Sequence, residues 1–255
     1  MRKKLSLLLA MAGVLLFLSG CTQIDQDVSA ESTGFWNEFV VWPLSQTLLF
    51  FADFFSGSYG MAIIVVTIII RLVLLPLNVK QLKSSKSMQE IQPQLQELRE
   101  KYSSKDAQTQ QKLQQETMSL FQKNGVNPLA GCLPIIVQMP ILIGFYHAIM
   151  RTPEIQSHNF LWLELGSPDP FLAILTAATT FLQQKLMMAG MSGAAGANPQ
   201  MQMMLYIMPL MIGTFAFFFP SALAVYWIVG NVFMILQTVF IRKPMMKEST
   251  GGADK

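Results

Sequence analysis

A single arginine interrupts a long apolar run. Residues 61–77 read Met-Ala-Ile-Ile-Val-Val-Thr-Ile-Ile-Ile-Arg-Leu-Val-Leu-Leu-Pro-Leu, with Arg71 well inside. A charge in the hydrocarbon of a bilayer costs roughly 2.5–3.5 kcal/mol on insertion scales. Arginine cannot shed that cost by losing its proton. Its guanidinium must therefore meet protein, water or a ligand, and the ligand chemistry it suits is anionic. Thr67 lies four residues earlier and shares a helical face with it. Other polar or amphipathic side chains within apolar segments include Gln138, Gln183, Gln184, Trp227 and Asn231. No Asp or Glu occurs within these segments. Two readings of Arg71 stay open here: a side chain that snorkels towards the interface marked by Asn78 and Lys80, or a functional, water-exposed cation.

The sequence offers no catalytic constellation. His147 and His158 stand apart, without a carboxylate at useful spacing, and read as packing or interface residues. Cys132 has only Cys21 as a companion, and no Cys/His spacing suggests a metal. There is no Gly-rich phosphate loop and no hydrolase elbow. The expectation is a protein that is not an enzyme, with no cofactor and no metal.

The elements that must position Arg71 are membrane helices. Hydrophobic residues make up 52% of the 255 residues and charged residues 13%, about half the share of a soluble domain. Mean hydropathy is +0.40. Residues 1–20 form a signal peptide, with Arg2, Lys3 and Lys4 before the apolar stretch 7–18. It ends Leu18-Ser19-Gly20-Cys21, which looks like a bacterial lipobox, so Cys21 is expected to carry a diacylglyceride and to begin the mature chain outside the cell. The competing reading is an uncleaved anchor with an incidental cysteine.

Five spans are predicted at 58–79, 133–150, 170–188, 205–219 and 222–241. An outer segment at 21–57, with an interfacial helix, precedes them. The connection 80–130 carries eight Lys and Arg residues, and the loop 151–169 carries Arg151 alone. The tail 242–255 is again basic. Positive charge gathers on the cytoplasmic side. This places the N-terminus outside, the C-terminus inside and the protein in a bacterial plasma membrane. Trp36, Trp42 and Trp162 suit the outer interface.

Within the inner connection, Met88, Ile91, Leu95, Leu98 and Tyr102 recur every three or four residues, and Leu113, Leu120 and Phe121 continue a stripe after a polar break. This predicts two amphipathic helices in a cytoplasmic hairpin. It fits a solvated spacer as well as an arm that docks partners. The Met-rich segment 189–204 reads as a cytoplasmic loop, or as a surface that adapts to apolar partners.

With the spans oriented, depth follows at about 1.5 Å per residue. Arg71, Gln138, Gln183, Gln184, Asn231 and Gln237 all fall in the cytoplasmic half, while the outer half is nearly all apolar. One such residue would be interhelical glue. Several at one depth, with an arginine, predict a hydrophilic groove open to the cytoplasm and blind to the outside. A channel would place polar residues at both depths.

Four segments then carry a resemblance. They are Arg71-Leu-Val-Leu-Leu-Pro76-Leu, Asn127-Pro-Leu-Ala-Gly-Cys-Leu-Pro134, Gln138-Met-Pro140, and Phe219-Pro-Ser221 before Tyr226-Trp227. Together they resemble the YidC family of membrane protein insertases over about residues 35–245. The lipobox and five spans are similar to its Gram-positive branch, which lacks the large periplasmic domain of Gram-negative members. The resemblance implies an all-α membrane protein and an insertase and chaperone for membrane proteins, acting alone or beside the Sec translocon, without nucleotide. It implies a groove whose signature charge is Arg71, with Thr67, Trp227 and Gln184 (or its neighbour Gln183) against the client's span. Implied partners are nascent membrane proteins with acidic external segments, the Sec translocon, the ribosome and the bilayer, with no nucleic acid bound directly. The short tail after Phe240 argues against strong ribosome binding. Two other classes compete: a transporter or channel for an anionic solute, and a purely structural assembly factor. A transporter would want a site reachable from both sides and internal repeats, and the sequence shows neither.

Overall fold

Helices dominate the computed structural model, which describes residues 26–104, 106–127, 133–189 and 199–245. A π-helical turn at Asn37–Val41 leads into α1, Trp42–Phe54. There follow α2 (Tyr59–Glu90), α3 (Gln92–Lys101), α4 (Ala107–Lys123), α5 (Leu133–Met150) and the short α6 (Pro153–Ser157). A two-residue pair of strands, β1 (Asn159–Phe160) and β2 (Leu163–Glu164), precedes α7 (Pro170–Met188), α8 (Pro199–Ala216) and α9 (Ser221–Gln237). A second π-helical turn, Thr238–Arg242, extends α9.

Among the described residues two helices are long and apolar enough to cross a membrane, Tyr59–Glu90 and Ser221–Met245. The stretches Ile136–Met150 and Met203–Ala216 are apolar but shorter. In α7 the closing Gln183-Gln184-Lys185 offsets the apolar start. The signal peptide, Cys21, most of the Met-rich loop and the end of the tail lie outside the described residues.

The described chain forms two compact units, each considered by itself. The first takes in the residues up to Thr67, Met139–Ala173 and Phe215–Trp227. Its core is apolar: Leu48, Ile63, Val66, Phe145, Ile149, Ile155 and Leu165 are buried. The Phe145 and Tyr226 rings stack with centroids 4.4 Å apart. At the end of α1, Gly57 (φ +87°) reverses the chain, and its N–H donates to the Ala52 carbonyl at 2.8 Å. This left-handed cap favours glycine. The β1–β2 hairpin, Asn159 opposite Glu164, lays the Phe160 ring where a side chain at Gly60 would sit. Arg151 is 2% exposed, donates from Nη1 to Asn37 Oδ1 and from Nε to the Gln26 carbonyl, both at 2.7 Å, and burial pushes its guanidinium below its ordinary range, opposed by Asp27. Beside it Ser45 and Thr152 share a buried hydrogen bond of 2.7 Å.

The second unit holds Ile68–Gln138, Ile174–Thr214 and the residues from Ile228 on. It contains the α3–α4 hairpin. Asp106 starts α4 by accepting from Thr109 N–H at 2.8 Å, so its first turn has a satisfied donor. Gly125 (φ +62°) ends the hairpin, and Ile91, Leu95 and Val126 close its core, with Met88, Leu120 and Phe121 packed against it.

Candidate functional site

Away from that hairpin, the second unit is built inside out. Its buried side chains on α2, α7, α9 and the turn after α9 include Gln81, Thr176, Thr180, Gln184, Gln237, Thr238 and Arg242. Every buried hydrophobic residue described in this unit comes from the Ile91, Leu95 and Val126 cluster. Its large apolar side chains instead face outward, among them Leu72, Val73, Ile174, Leu210 and Phe240. Water-soluble packing places these classes the other way round. A bundle immersed in lipid, with a polar interior, reproduces what is seen.

Arg71 is central to that interior. It sits on α2 in the thirty-two-residue helix Tyr59–Glu90 and is partly exposed. Nη1 donates to Gln138 Oε1 of α5 at 3.0 Å. No acidic residue occurs in α5, α7, α8 or α9. The neutral amide thus orients the cation without cancelling its charge. A guanidinium has five N–H donors in a planar fork, so bonding to one amide leaves capacity for a carboxylate.

Asn231 of α9 donates from Nδ2 to Thr180 Oγ1 at 2.8 Å and to Thr179 Oγ1 at 3.2 Å, both on α7. Gln184 of α7 donates to the Met204 carbonyl of α8 at 3.4 Å. Gln183 donates to Met187 Sδ, one turn along its own helix. The structure therefore joins Arg71 to Gln138, Asn231 to α7 and Gln184 to α8, while Gln183 bonds locally.

Thr67 and Trp227 fall in the first unit. Thr67 is buried, and its hydroxyl donates to the Ile63 carbonyl of its own helix at 2.6 Å. Trp227 is half-buried, next to the stacked Tyr226.

Four buried polar atoms of the second unit have no hydrogen-bond partner among the described residues: Gln81 Nε2, Gln89 Nε2, Thr176 Oγ1 and Gln237 Oε1. Left dry, each would cost about 1–3 kcal/mol. Their presence suits a hydrated interior. Gly230, one residue before Asn231, carried no chemical signal in the sequence. A side chain there would run into the Arg71 guanidinium. Cys21 and Cys132 lie outside the described residues. Among the described residues no group of three or more His, Cys, Asp or Glu could hold a metal ion.

The family described as 60Kd inner membrane protein matches residues 50–249. A protein named membrane protein insertase YidC, from Oceanobacillus iheyensis, is 61% identical over 250 residues, 96% of this chain and 99% of its own. The membrane protein insertase MisCA of Bacillus subtilis is 57% identical over 251 residues, 98% of this chain and 95% of its own. Among solved structures, an active YidC insertase with its first transmembrane domain resolved matches with a TM-score of 0.62 at 23% identity, over 82% of this chain. The chain spans about half of that structure's length, 47%.

Proposed function

Since the chain belongs to the YidC family, we propose that it inserts client proteins into the membrane and assists their folding, through a hydrophilic groove built around Arg71. The observation that carries this reading is the inverted second unit, with polar side chains inside and large apolar ones outside. A hydrated groove within a lipid-facing bundle lowers the cost of bringing a client's polar segment to membrane depth. The uncancelled Arg71 charge attracts an acidic segment, and its planar fork matches a carboxylate. The client's apolar span then leaves sideways into lipid. No covalent step and no nucleotide are needed in this scheme.

The wider arrangement is part of the same proposal. Five helices cross the plasma membrane, the N-terminus lies outside on a lipid attached to Cys21, and the α3–α4 hairpin lies in the cytoplasm. Gln138, Gln183, Gln184 and Asn231 line or frame the groove with Arg71. The protein works alone or beside the Sec translocon and receives clients from the ribosome.

Purified protein in liposomes tests this reading. Insertion of a single-span client with an acidic external segment, without nucleotide, is the expected result. Flux of an anionic solute without client insertion would replace the proposal with a transporter. Stabilised client complexes with neither activity would leave an assembly factor.

A further inference from the structure

Gly230 lies buried in the middle of α9, where glycine weakens a helix relative to alanine. Such a glycine asks for a packing reason. Here the reason is specific. A Cβ at position 230 would stand 2.5 Å from Arg71 Nη2, and 3.3 Å from both Cζ and Nε. The Nε–Nη2 edge of the guanidinium is thus turned towards the bare backbone of α9. The same guanidinium bonds Gln138 through Nη1. It is held between an amide on one helix and a missing side chain on another.

We propose that Gly230 is a positioning residue for Arg71: the missing side chain lets the Nε–Nη2 edge of the guanidinium abut α9, so that its remaining donors are presented to a client carboxylate in one orientation. This inference rests on the reading of Arg71 as the client-facing charge. A methyl group at 230 has two ways to gain room. Helix α9 could recede, but Asn231 ties it to Thr179 and Thr180. The long arginine side chain is the softer partner, so the guanidinium moves and carries its bond to Gln138 with it. Alanine at 230 therefore leaves the fold intact and displaces the charge. A lysine at 71 would present a compact ammonium with no planar group to seat. The glycine is matched to arginine alone.

The test uses the full-length protein in liposomes and nanodiscs, as wild type, Gly230→Ala, Arg71→Lys, Arg71→Ala and the double variant Arg71→Lys with Gly230→Ala. Insertion of an acidic client is measured beside thermal melting and the side-chain nitrogen NMR signal of Arg71, assigned by its loss in Arg71→Lys. Gly230→Ala is expected to shift that signal, to keep the melting temperature and to slow insertion roughly five-fold or more. In the Arg71→Lys background the same change is expected to alter insertion less than about two-fold. An unmoved Arg71 signal, or an equal loss in both backgrounds, would assign Gly230 to helix packing and overturn the proposal. Arg71→Ala separates the two claims. If it inserts at the wild-type rate, the functional reading fails and this inference with it. If it is inactive while Gly230→Ala is fully active, only the positioning role fails.

Discussion

Arg71 and Gln138, 67 residues apart in the chain, are joined by a hydrogen bond of 3.0 Å from Nη1 to Oε1. A neutral partner orients a cation and leaves its charge uncancelled, whereas an acid would neutralise it. The choice of glutamine over glutamate at 138 therefore keeps the Arg71 charge uncancelled.

Replacing that partner should grade the effect. Gln138→Leu removes one hydrogen bond to a charged group, and insertion of an acidic client should slow about five- to ten-fold. Gln138→Glu should be worse, because a fixed carboxylate competes with the client for the same guanidinium. Initial rates in proteoliposomes check this. A Gln138→Glu variant faster than Gln138→Leu would mean that the uncancelled charge is not what the amide preserves.

Hydration should be one-sided. Cysteine placed at Gln138, Gln184 or Asn231, with Cys132 replaced by Ser, should react with an impermeant maleimide added from the cytoplasmic side and resist it from outside. The buried polar atoms of Gln81, Gln89, Thr176 and Gln237 that lack a hydrogen-bond partner among the described residues motivate this expectation. Labelling from outside as fast as from inside would point to a pore.

Arg151 should matter to stability and not to insertion. It holds Asn37 and the Gln26 carbonyl, and its own carbonyl accepts from Val28 N–H at 2.9 Å. Arg151→Met should destabilise the first unit by about 1–3 kcal/mol and expose residues 26–36 to protease, with activity per folded molecule kept. Unchanged melting would mean that these bonds contribute nothing net.

The α3–α4 hairpin should weaken in acid. Ser104 and the Thr109 N–H hold the Asp106 carboxyl at about 2, below its ordinary 3.8. A depressed acid contributes stability that is complete above its ordinary value and disappears as pH falls through the folded value. Amide protection across 107–110, relative to the intrinsic exchange rate at each pH, should therefore fall between pH 4 and pH 2 in wild type. Asp106→Asn should flatten that dependence. An equally steep response in Asp106→Asn would place the acid sensitivity elsewhere.

Apolar length made the helical class legible, and α5 (Leu133–Met150) and α7 (Pro170–Met188) are helices bounded by Pro and polar residues. The end of α2 was less legible. The predicted span stops at residue 79, where hydrophobicity falls, but the helix continues to Glu90. Gln, Lys and Ser continue a helix without difficulty, and no breaker stands between 80 and 90. Helix α8 starts earlier than residue 205 for a similar reason: Pro199 opens it and methionine supports it.

At the site, Arg71 and its neutral surroundings were legible because an isolated charge in an apolar run is rare. The pairing with Gln138 was not, since depth places residues at a level without saying which faces meet. Thr67 shares a helical face with Arg71 by spacing, yet its hydroxyl is spent on its own backbone. Gly230 was invisible, because a glycine announces nothing until the group lying over it is seen. Arg151 read only as the lone basic residue of an outer loop; its burial depends on Asn37, 114 residues away.

The central claim is that the Arg71 charge works on the client's own charge. The most direct measurement compares wild type, Arg71→Lys and Arg71→Ala for one client whose external segment is acidic, and for the same client with those acids changed to amides. The acidic client should insert well with wild type and Arg71→Lys and lose most of its insertion with Arg71→Ala, while the neutral client should depend far less on position 71. Arg71→Ala inserting the acidic client at the wild-type rate would contradict the account.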